Sequence, residues 1–300
     1  MTYLEFKENI LHDITLAFPE ETSITIRSIL KNNDTRLDGL VIMEQDANIA
    51  PTLYLNHYFK ELDNGFTYQE MLFKIKQDYE LFKPTSNVDI SFFTDYQKAQ
   101  DHIVYKLINY EKNIDLLKEI PHVHFMDLAI VFYYLHLDDS YVRNGMVLIR
   151  NDLLESWNIS IRQLMNKAIE NTPITLPSNI ISMQDMLKTL LQDDKELEQI
   201  IAEDKAPIPM YVITNTEKIN GAAVMLYPNV LKNLAQTMKS DLYIIPSSVH
   251  EIIAIPQSHA KDKSALDEMV VEVNQDQVPD EEILSDHVYY YSLEQDQIIY

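Results

Sequence analysis

Two histidines two residues apart, His122 and His124, are followed closely by Asp127. In a strand, residues two apart point to the same face, so both imidazoles could reach one ion. Histidine and carboxylate are zinc ligands, and three of them with an open position suit metal-dependent hydrolysis. No HExxH motif completes the set. We therefore predict no tightly bound metal, and these three residues are the candidate ligands if one is bound.

A second group, Ser247, Ser248, His250 and Glu251, places hydroxyl, imidazole and carboxylate groups in one short segment. The members of a catalytic triad normally converge from separate elements, and this chain has no G-x-S-x-G elbow. The serines are typical of a turn, where they bond to backbone groups. We predict no catalytic residue here, and we interpret Ser247, Ser248 and His250 as a turn that contacts a partner.

Tyrosines are concentrated near the end of the chain, at Tyr289, Tyr290 and Tyr291. In a strand, Tyr289 and Tyr291 share one face and Tyr290 lies on the other. Packing within a sheet explains such a run, but tyrosine is also enriched at interaction hot spots. Tyr289 and Tyr291 are therefore candidates for a partner contact.

Composition argues against several other chemistries. The chain has 300 residues with 4 Gly and no Cys. Neither of the glycine-rich loops that hold nucleotide phosphates occurs in it. Without cysteine there is no disulfide, no thiolate metal site and no thiol nucleophile. We predict no cofactor, and the sequence leans away from an enzyme.

The charge is strongly acidic, with a formal net charge of −23 from 47 acidic and 24 basic residues. Nucleic acids and anionic membranes repel such a chain, so neither is an expected partner. A protein partner is expected, and the charge favours a basic one. The sequence has no run of 18 apolar residues and no secretory signal at Met1, which predicts a cytoplasmic protein.

Three of the glycines sit in a similar local pattern, at Asp38-Gly39, Asn144-Gly145 and Asn220-Gly221. Asp-Gly and Asn-Gly favour two-residue hairpin turns, because such turns need positive φ. Each follows a β-like run and precedes an amphipathic helix. The pattern predicts three divergent strand–hairpin–strand–helix units, and with them an α+β fold in which helices cover antiparallel sheets.

Hydrophobic periodicity, helix-capping residues and helix-breaking residues indicate where the helices and strands lie and how the chain divides. Thr67 with Glu70 has the spacing of a capping box. We predict units over 1–120, 121–206 and 207–300, with a linker-like stretch over 192–205. Predicted helices cover 3–18, 52–62, 67–82, 95–109, 151–157, 161–170, 229–238 and 264–273, and predicted strands cover 23–30, 40–43, 127–137, 146–149, 211–214, 224–226, 241–245, 249–255, 286–291 and 297–300.

Several segments resemble a family of uncharacterised proteins abundant in gut Firmicutes, known as domain of unknown function number 5688. They are PTLYLNHYF, DLAIVFYYLHL, NGMVLIRNDLLESWNIS, MYVITNTEKINGAAVMLYP, DLYIIPSSVHEIIAIP and EEILSDHVYYY, and they run in the same order over essentially the whole chain. The resemblance implies a bacterial cytoplasmic protein of a kind carried on mobile elements. It brings no activity, cofactor or site residue.

These observations predict a protein-binding or regulatory module without catalytic activity. Two alternatives stay open. One is a metal-dependent hydrolase that uses His122, His124 and Asp127. The other is an acidic decoy that imitates DNA and occupies the basic groove of a DNA-binding protein.

Overall fold

The structure is a computed structural model that describes residues 1–84, 87, 89–91, 94–136, 145–190, 208–260 and 262–300. Helices and antiparallel sheets both contribute, so the predicted α+β class is confirmed. In chain order the α-helices are α1 (Tyr3–Thr15), α2 (Leu55–Asp63), α3 (Tyr68–Phe82), α4 (Tyr96–Ala99), α5 (Ile114–Leu117), α6 (Asn151–Ser156), α7 (Ile161–Thr175), α8 (Met183–Leu190), α9 (Val230–Met238) and α10 (Lys263–Asp276). No helix within these ranges is long and apolar enough to cross a bilayer.

The N-terminal sheet has three strands in chain order, β1 (Ser23–Leu30), β2 (Arg36–Met43) and β3 (Thr52–Tyr54). Helices α1 to α3 pack their apolar residues against it and form a core of their own. The predicted capping box begins α3: the Glu70 N–H donates to Thr67 Oγ1 at 3.3 Å, and the Thr67 N–H donates to Glu70 Oε2 at 2.8 Å. Reciprocal bonds of this kind satisfy N–H groups that a helix start leaves unpaired.

The predicted turn at Gly39 is wrong. Gly39 lies within β2 and pairs with Arg27 of β1, and the hairpin closes at Asn32–Asp34. Asn33 and Asp34 supply the positive φ that the turn needs, at 57° and 51°. Asparagine and aspartate tolerate that conformation, so the turn does not require glycine.

Gly39 serves close packing instead. A Cβ at this position would lie 2.5 Å from Thr52 Cγ2 and 2.8 Å from Ile29 Cδ1. The absence of a side chain therefore lets the neighbouring side chains approach the strand, which is a common reason for glycine within a sheet.

The middle sheet has the order β4 (Ile103–Asn109), β6 (Leu128–His136) and β5 (His122–Phe125), and β7 (Gly145–Leu148) also pairs with β6. The helix predicted over 95–109 is wrong beyond Ala99, because its second half is β4. The predicted β6 is confirmed. Its residues alternate between two cores, with Ile130 and Phe132 in one and Ala129 and Val131 in the other, so the strand is apolar at consecutive positions.

The C-terminal sheet has the order β13-β12-β10-β11-β9-β8. Its strands are β8 (Ser178–Ser182), β9 (Tyr211–Asn215), β10 (Leu242–Ser248), β11 (Glu251–Pro256), β12 (Tyr289–Ser292) and β13 (Gln297–Ile299). Strand pairs span both predicted unit boundaries. β4 pairs with β6 across the boundary at 120, and β8 pairs with β9 across the boundary at 206. One core joins this sheet to the middle sheet. The predicted linker over 192–205 lies outside the described residues.

Gly221 begins a 3₁₀ helix over Gly221–Leu226, where the sequence predicted a hairpin turn and a strand over 224–226. Asn220, which precedes it, has a left-handed φ of 52°. Gly145 opens β7, and the predicted turn residue Asn144 lies outside the described residues. Only one of the three glycines is therefore at the end of a hairpin, and the predicted threefold repeat is wrong.

Helix α9 ends in a Schellman motif centred on Lys239. The Ser240 N–H donates to Ala235 O and the Lys239 N–H donates to Gln236 O, both at 3.2 Å. Lys239 is exposed and has a φ of 53°. Glycine is the favoured residue at this position because a Cβ is strained there.

Replacing Lys239 by glycine should raise the free energy of unfolding by about 0.5–1 kcal/mol, because relief of the left-handed strain exceeds the added entropy of the unfolded chain. Urea denaturation followed by circular dichroism measures the change. Lys239→Ala is the matched control, since it removes the same charge and keeps the Cβ. An equal gain in both variants would contradict the conformational explanation.

Candidate functional site

A cavity of about 470 Å³ lies where the β5–β6 loop, the start of α9 and the β12–β13 loop meet. Most of its lining residues are apolar or aromatic in type, but polar atoms contribute more of its exposed surface than apolar atoms do. Ligand sites in proteins are typically about 300–1,000 Å³ in volume. The apolar wall includes Phe125, Met126, Leu226, Leu231 and Ile298.

Residues with positive φ recur around this cavity, and one of them, Met126, is strained. Within the described ranges nine residues other than glycine have positive φ, and three of them line it: Met126 at 56°, Asn229 at 63° and Asp296 at 51°. Asparagine and aspartate adopt this conformation readily, whereas methionine rarely does. Met126 is the first of the two loop residues between β5 and β6, since Phe125 and Leu128 form the last pair. Strain of this kind clusters at functional sites.

The polar groups form a compact network at the cavity. Asp296 accepts a hydrogen bond from Tyr291 OH at 2.5 Å and one from Lys232 Nζ at 2.6 Å. The bond from Lys232 and then the bond from Tyr291 lower the pKa of Asp296. Burial and then the bond to Asp296 raise the pKa of Tyr291. Asp296 is therefore an anion and Tyr291 a neutral donor at neutral pH.

Asp127, the second residue of the strained loop, binds the C-terminal segment next to the cavity. Its carboxylate accepts hydrogen bonds from Ser285 Oγ at 2.6 Å and from Tyr289 OH at 2.7 Å. Ser285 and Tyr289 are both fully buried. Burial first, and then the charge of Asp127, raise the pKa of Tyr289. This network fixes the loop that carries Met126.

The candidate metal ligands are only partly brought together. His122 and His124 share a face of β5, as predicted, because their rings contact the Tyr110 ring with centroids 6.0 Å and 4.3 Å away. His122 Nδ1 lies 3.1 Å from the carbonyl oxygen of Ile120. The carboxylate of Asp127 is bound to Ser285 and Tyr289. Among the residues that the structure describes, no three potential ligands form a group that could hold a metal ion.

The serine–histidine turn lies between β10 and β11. Ser248 Oγ accepts a hydrogen bond from the His250 N–H at 3.0 Å, and Ser247 Oγ donates to Glu251 at 3.3 Å. His250 Nδ1 accepts from the Asn220 N–H at 3.2 Å, and its Nε2 lies 3.8 Å from Glu282. In the described contacts neither serine hydroxyl bonds to the imidazole. The group closes the turn and anchors the segment before Gly221.

The predicted aromatic surface lies inside the protein. Tyr289 and Tyr291 are 0% and 4% exposed, because their shared face packs on the core that joins the middle and C-terminal sheets. Neither is therefore an exposed partner contact, although Tyr291 reaches the cavity. On the opposite face, the hydrogen bond from Tyr290 to Asp241, together with burial, raises the pKa of Tyr290 to about 12.

Sequence patterns do not identify three residues of this site: Lys232, Asp296 and Ser285. Asp296 stands between two predicted strands in Glu294-Gln295-Asp296-Gln297, a composition that predicts a turn. Its partner Lys232 is 64 residues away in the chain. No local pattern connects such residues, so a turn was the most that the sequence could indicate.

One family model matches the chain. It covers residues 3–293 and is described as a family of unknown function, DUF5688. No curated protein and no solved structure matches.

Proposed function

The chain belongs to the family of unknown function DUF5688, and we propose that it is a protein-binding module. In this proposal the partner adds an extended segment beside β13 and inserts an apolar side chain into the cavity. The position of the cavity next to the last strand of a sheet is the main support for this proposal. β13 ends the C-terminal sheet in the part of the chain that the structure describes.

An edge strand offers unpaired N–H and C=O groups to another chain. Peptides that add as a strand gain affinity from main-chain hydrogen bonds, and alternate side chains enter pockets and provide specificity. Ile298 pairs with Tyr291 across β12 and β13, and both line the cavity. A strand added to β13 would direct every second side chain to that same face.

The cavity also indicates the chemistry of the inserted group. Apolar side chains such as Phe125, Leu231 and Ile298 line it, and the two charged residues in the described lining, Lys232 and Asp296, are paired with each other. An uncharged apolar side chain suits such a cavity. The net charge of −23 attracts positively charged molecules as they approach. We therefore infer an apolar anchor flanked by basic residues.

Binding is favoured over the metal-dependent hydrolase, and over catalysis at the serine–histidine turn, because of how Asp127 and His250 are bonded. Asp127 accepts hydrogen bonds from two buried hydroxyl groups, and the imidazole of His250 accepts one from a backbone N–H. A general base needs a proton-bearing group of the substrate or nucleophile within hydrogen-bond reach. These two side chains instead hold loops in place.

The acidic decoy is the second candidate, and one observation favours it. Glu268, Glu272 and Asp276 are exposed along α10 at four-residue intervals. Such spacing corresponds to about 6 Å along the helix axis between successive carboxylates. A decoy would bind a basic groove through this ridge rather than through the cavity.

Selection of peptides from a random dodecapeptide display library tests the proposal. We expect enrichment of sequences with an apolar residue flanked by lysine or arginine. Fluorescence anisotropy with the selected peptides should show at least about tenfold weaker binding to Ile298→Asp, because a charge would then line the cavity that receives the apolar anchor.

Ile299→Asp is the matched control, since Ile299 lies on the same strand and is 37% exposed. This variant should change the affinity by less than about twofold, as exposed charges interact weakly. Thermal unfolding must show that both variants are folded. Failure to enrich any peptide, or equal losses in both variants, contradicts the proposal. Loss of binding in Glu272→Lys alone would favour the decoy.

A further inference from the structure

A second cavity lies in the N-terminal unit, between β3, α2 and α3, and has a volume of about 360 Å³. Aromatic side chains form much of its wall: Tyr54, Tyr58 and Phe82, together with His57. Tyr58 is buried and Phe82 is 57% exposed, so the aromatic lining includes both a buried ring and a solvent-accessible one. The His57 and Tyr54 rings form a T-shaped pair, with centroids 6.2 Å apart and an interplanar angle of 88°.

Two carboxylates, Glu61 and Asp78, line the same cavity. Asp78 Oδ2 accepts a hydrogen bond from Tyr58 OH at 2.7 Å, which orients the carboxylate against the aromatic wall. Within the described residues neither carboxylate has an ion-pair partner. Lys74 is exposed and is the single cationic side chain in the lining. The described lining is therefore rich in aromatic rings and carries two carboxylates and one ammonium group.

The protein itself places a cation on one of these rings. Lys31 Nζ lies 4.3 Å from the centroid of the Tyr54 ring. A cation within about 6 Å of an aromatic centroid is attracted by the negative face of the ring. Tyr54 therefore already holds an ammonium group at its ring, and Glu61 and Asp78 of the cavity lining add charge attraction for a further cation.

We propose that this cavity binds an alkylammonium or alkylguanidinium cation. Aromatic faces surrounding a cation, with a carboxylate nearby, are the arrangement by which proteins recognise organic ammonium groups. The cation could be the side chain of a lysine or arginine in a partner protein, or a free amine. The site is separate from the cavity beside β13 and does not depend on the function proposed there.

Titration with butylguanidinium, followed by NMR of the Tyr54, Tyr58 and His57 ring signals, tests this proposal. We expect saturable binding that weakens as salt rises, because screening reduces attraction between exposed charges. Butylurea, which has nearly the same shape and no charge, should shift these signals little. Equal affinity for butylurea would overturn the proposal.

Two variants with opposite expected effects separate charge recognition from simple apolar binding. Glu61→Gln should weaken butylguanidinium binding by about fivefold, and Lys74→Met should strengthen it by about twofold, since each alters one charge in a partly solvated site. In the described contacts the Glu61 carboxylate has no hydrogen-bond partner, so Glu61→Gln should leave the fold intact. Affinities unchanged in both variants would overturn the proposal.

Comparison with the peptide acetyl-Gly-Arg-Gly-amide distinguishes the two sources of the cation. Tighter binding of the peptide than of butylguanidinium supports a cation site that receives a side chain of a protein partner. Equal or weaker binding supports it with a free small molecule as its source. Ile298→Asp should leave the affinities for butylguanidinium and for this peptide unchanged. Loss of cation binding can therefore be distinguished from loss of binding beside β13.

Discussion

Replacing Gly221 by alanine should lower the free energy of unfolding by about 3 kcal/mol, at the upper end for one methyl group added to a packed site. The added Cβ would overlap Thr214 Oγ1 and the carbonyl oxygen of His250, and it would lie 2.9 Å from the backbone nitrogen of Asn215. Two of these three atoms belong to the backbone. Thr214 Oγ1 is itself fixed by a hydrogen bond of 2.8 Å to His250 O.

Gly39→Ala is the matched control for this prediction. Its Cβ would also be crowded, but only by the ends of the Thr52 and Ile29 side chains. Such side chains can rotate away, so we expect a loss of about 1 kcal/mol. Urea denaturation of the two variants measures the difference. A loss at Gly221 no larger than the loss at Gly39 would contradict the assignment of a rigid backbone contact.

This rigidity also affects the cavity beside β13. The 3₁₀ helix that begins at Gly221 ends at Leu226, which lines that cavity. Movement of the helix start would therefore be transmitted to the cavity wall. A folded Gly221→Ala variant should bind the selected peptides more weakly than the wild-type protein.

Asp127→Ala should lower the free energy of unfolding by about 3 kcal/mol, because it leaves two buried hydroxyl groups without their acceptor and each unsatisfied group costs about 1–3 kcal/mol. The affected donors are Ser285 Oγ and Tyr289 OH. Asp127→Asn should be about half as damaging, since the amide keeps one acceptor oxygen. Thermal and urea denaturation provide the measurements.

A double-mutant cycle isolates the contact. Tyr289→Phe removes one donor, and the half-buried Asp127 can then bind water, so the single loss should be about 1 kcal/mol. Combining Asp127→Ala with Tyr289→Phe should cost clearly less than the sum of the single losses. Additive losses would show that the two side chains act independently. Stabilisation of the wild-type protein by zinc, lost in Asp127→Ala, would support the metal-site alternative instead.

Much of the secondary structure was predictable because its causes are local. The capping box of Thr67 and Glu70 needs only neighbours three residues apart. The apolar run of β6 was long and rich in β-branched residues, and β-branched side chains favour strands. Neither depends on distant parts of the chain.

Where local signals were ambiguous, the structure differed from the prediction. The segment from Ile103 to Asn109 is apolar at five of its seven positions, and a largely apolar run fits a buried strand and a buried helix equally well. Pairing with β6 decided for the strand. Asp38-Gly39 and Asn33-Asp34 could each form a turn, and close packing of Thr52 and Ile29 on Gly39 placed the turn at Asn33.

The sequence by itself determined the α+β class, the absence of thiol and glycine-loop chemistry, and the candidate status of Asp127. Only the tertiary structure decided what Asp127 does. Its hydrogen-bond partners lie 158 and 162 residues further along the chain. Contacts over such separations depend on how the sheets pack together, and the types and spacing of neighbouring residues carry no information about that packing. For the same reason Lys232 and Asp296 could not be paired in advance.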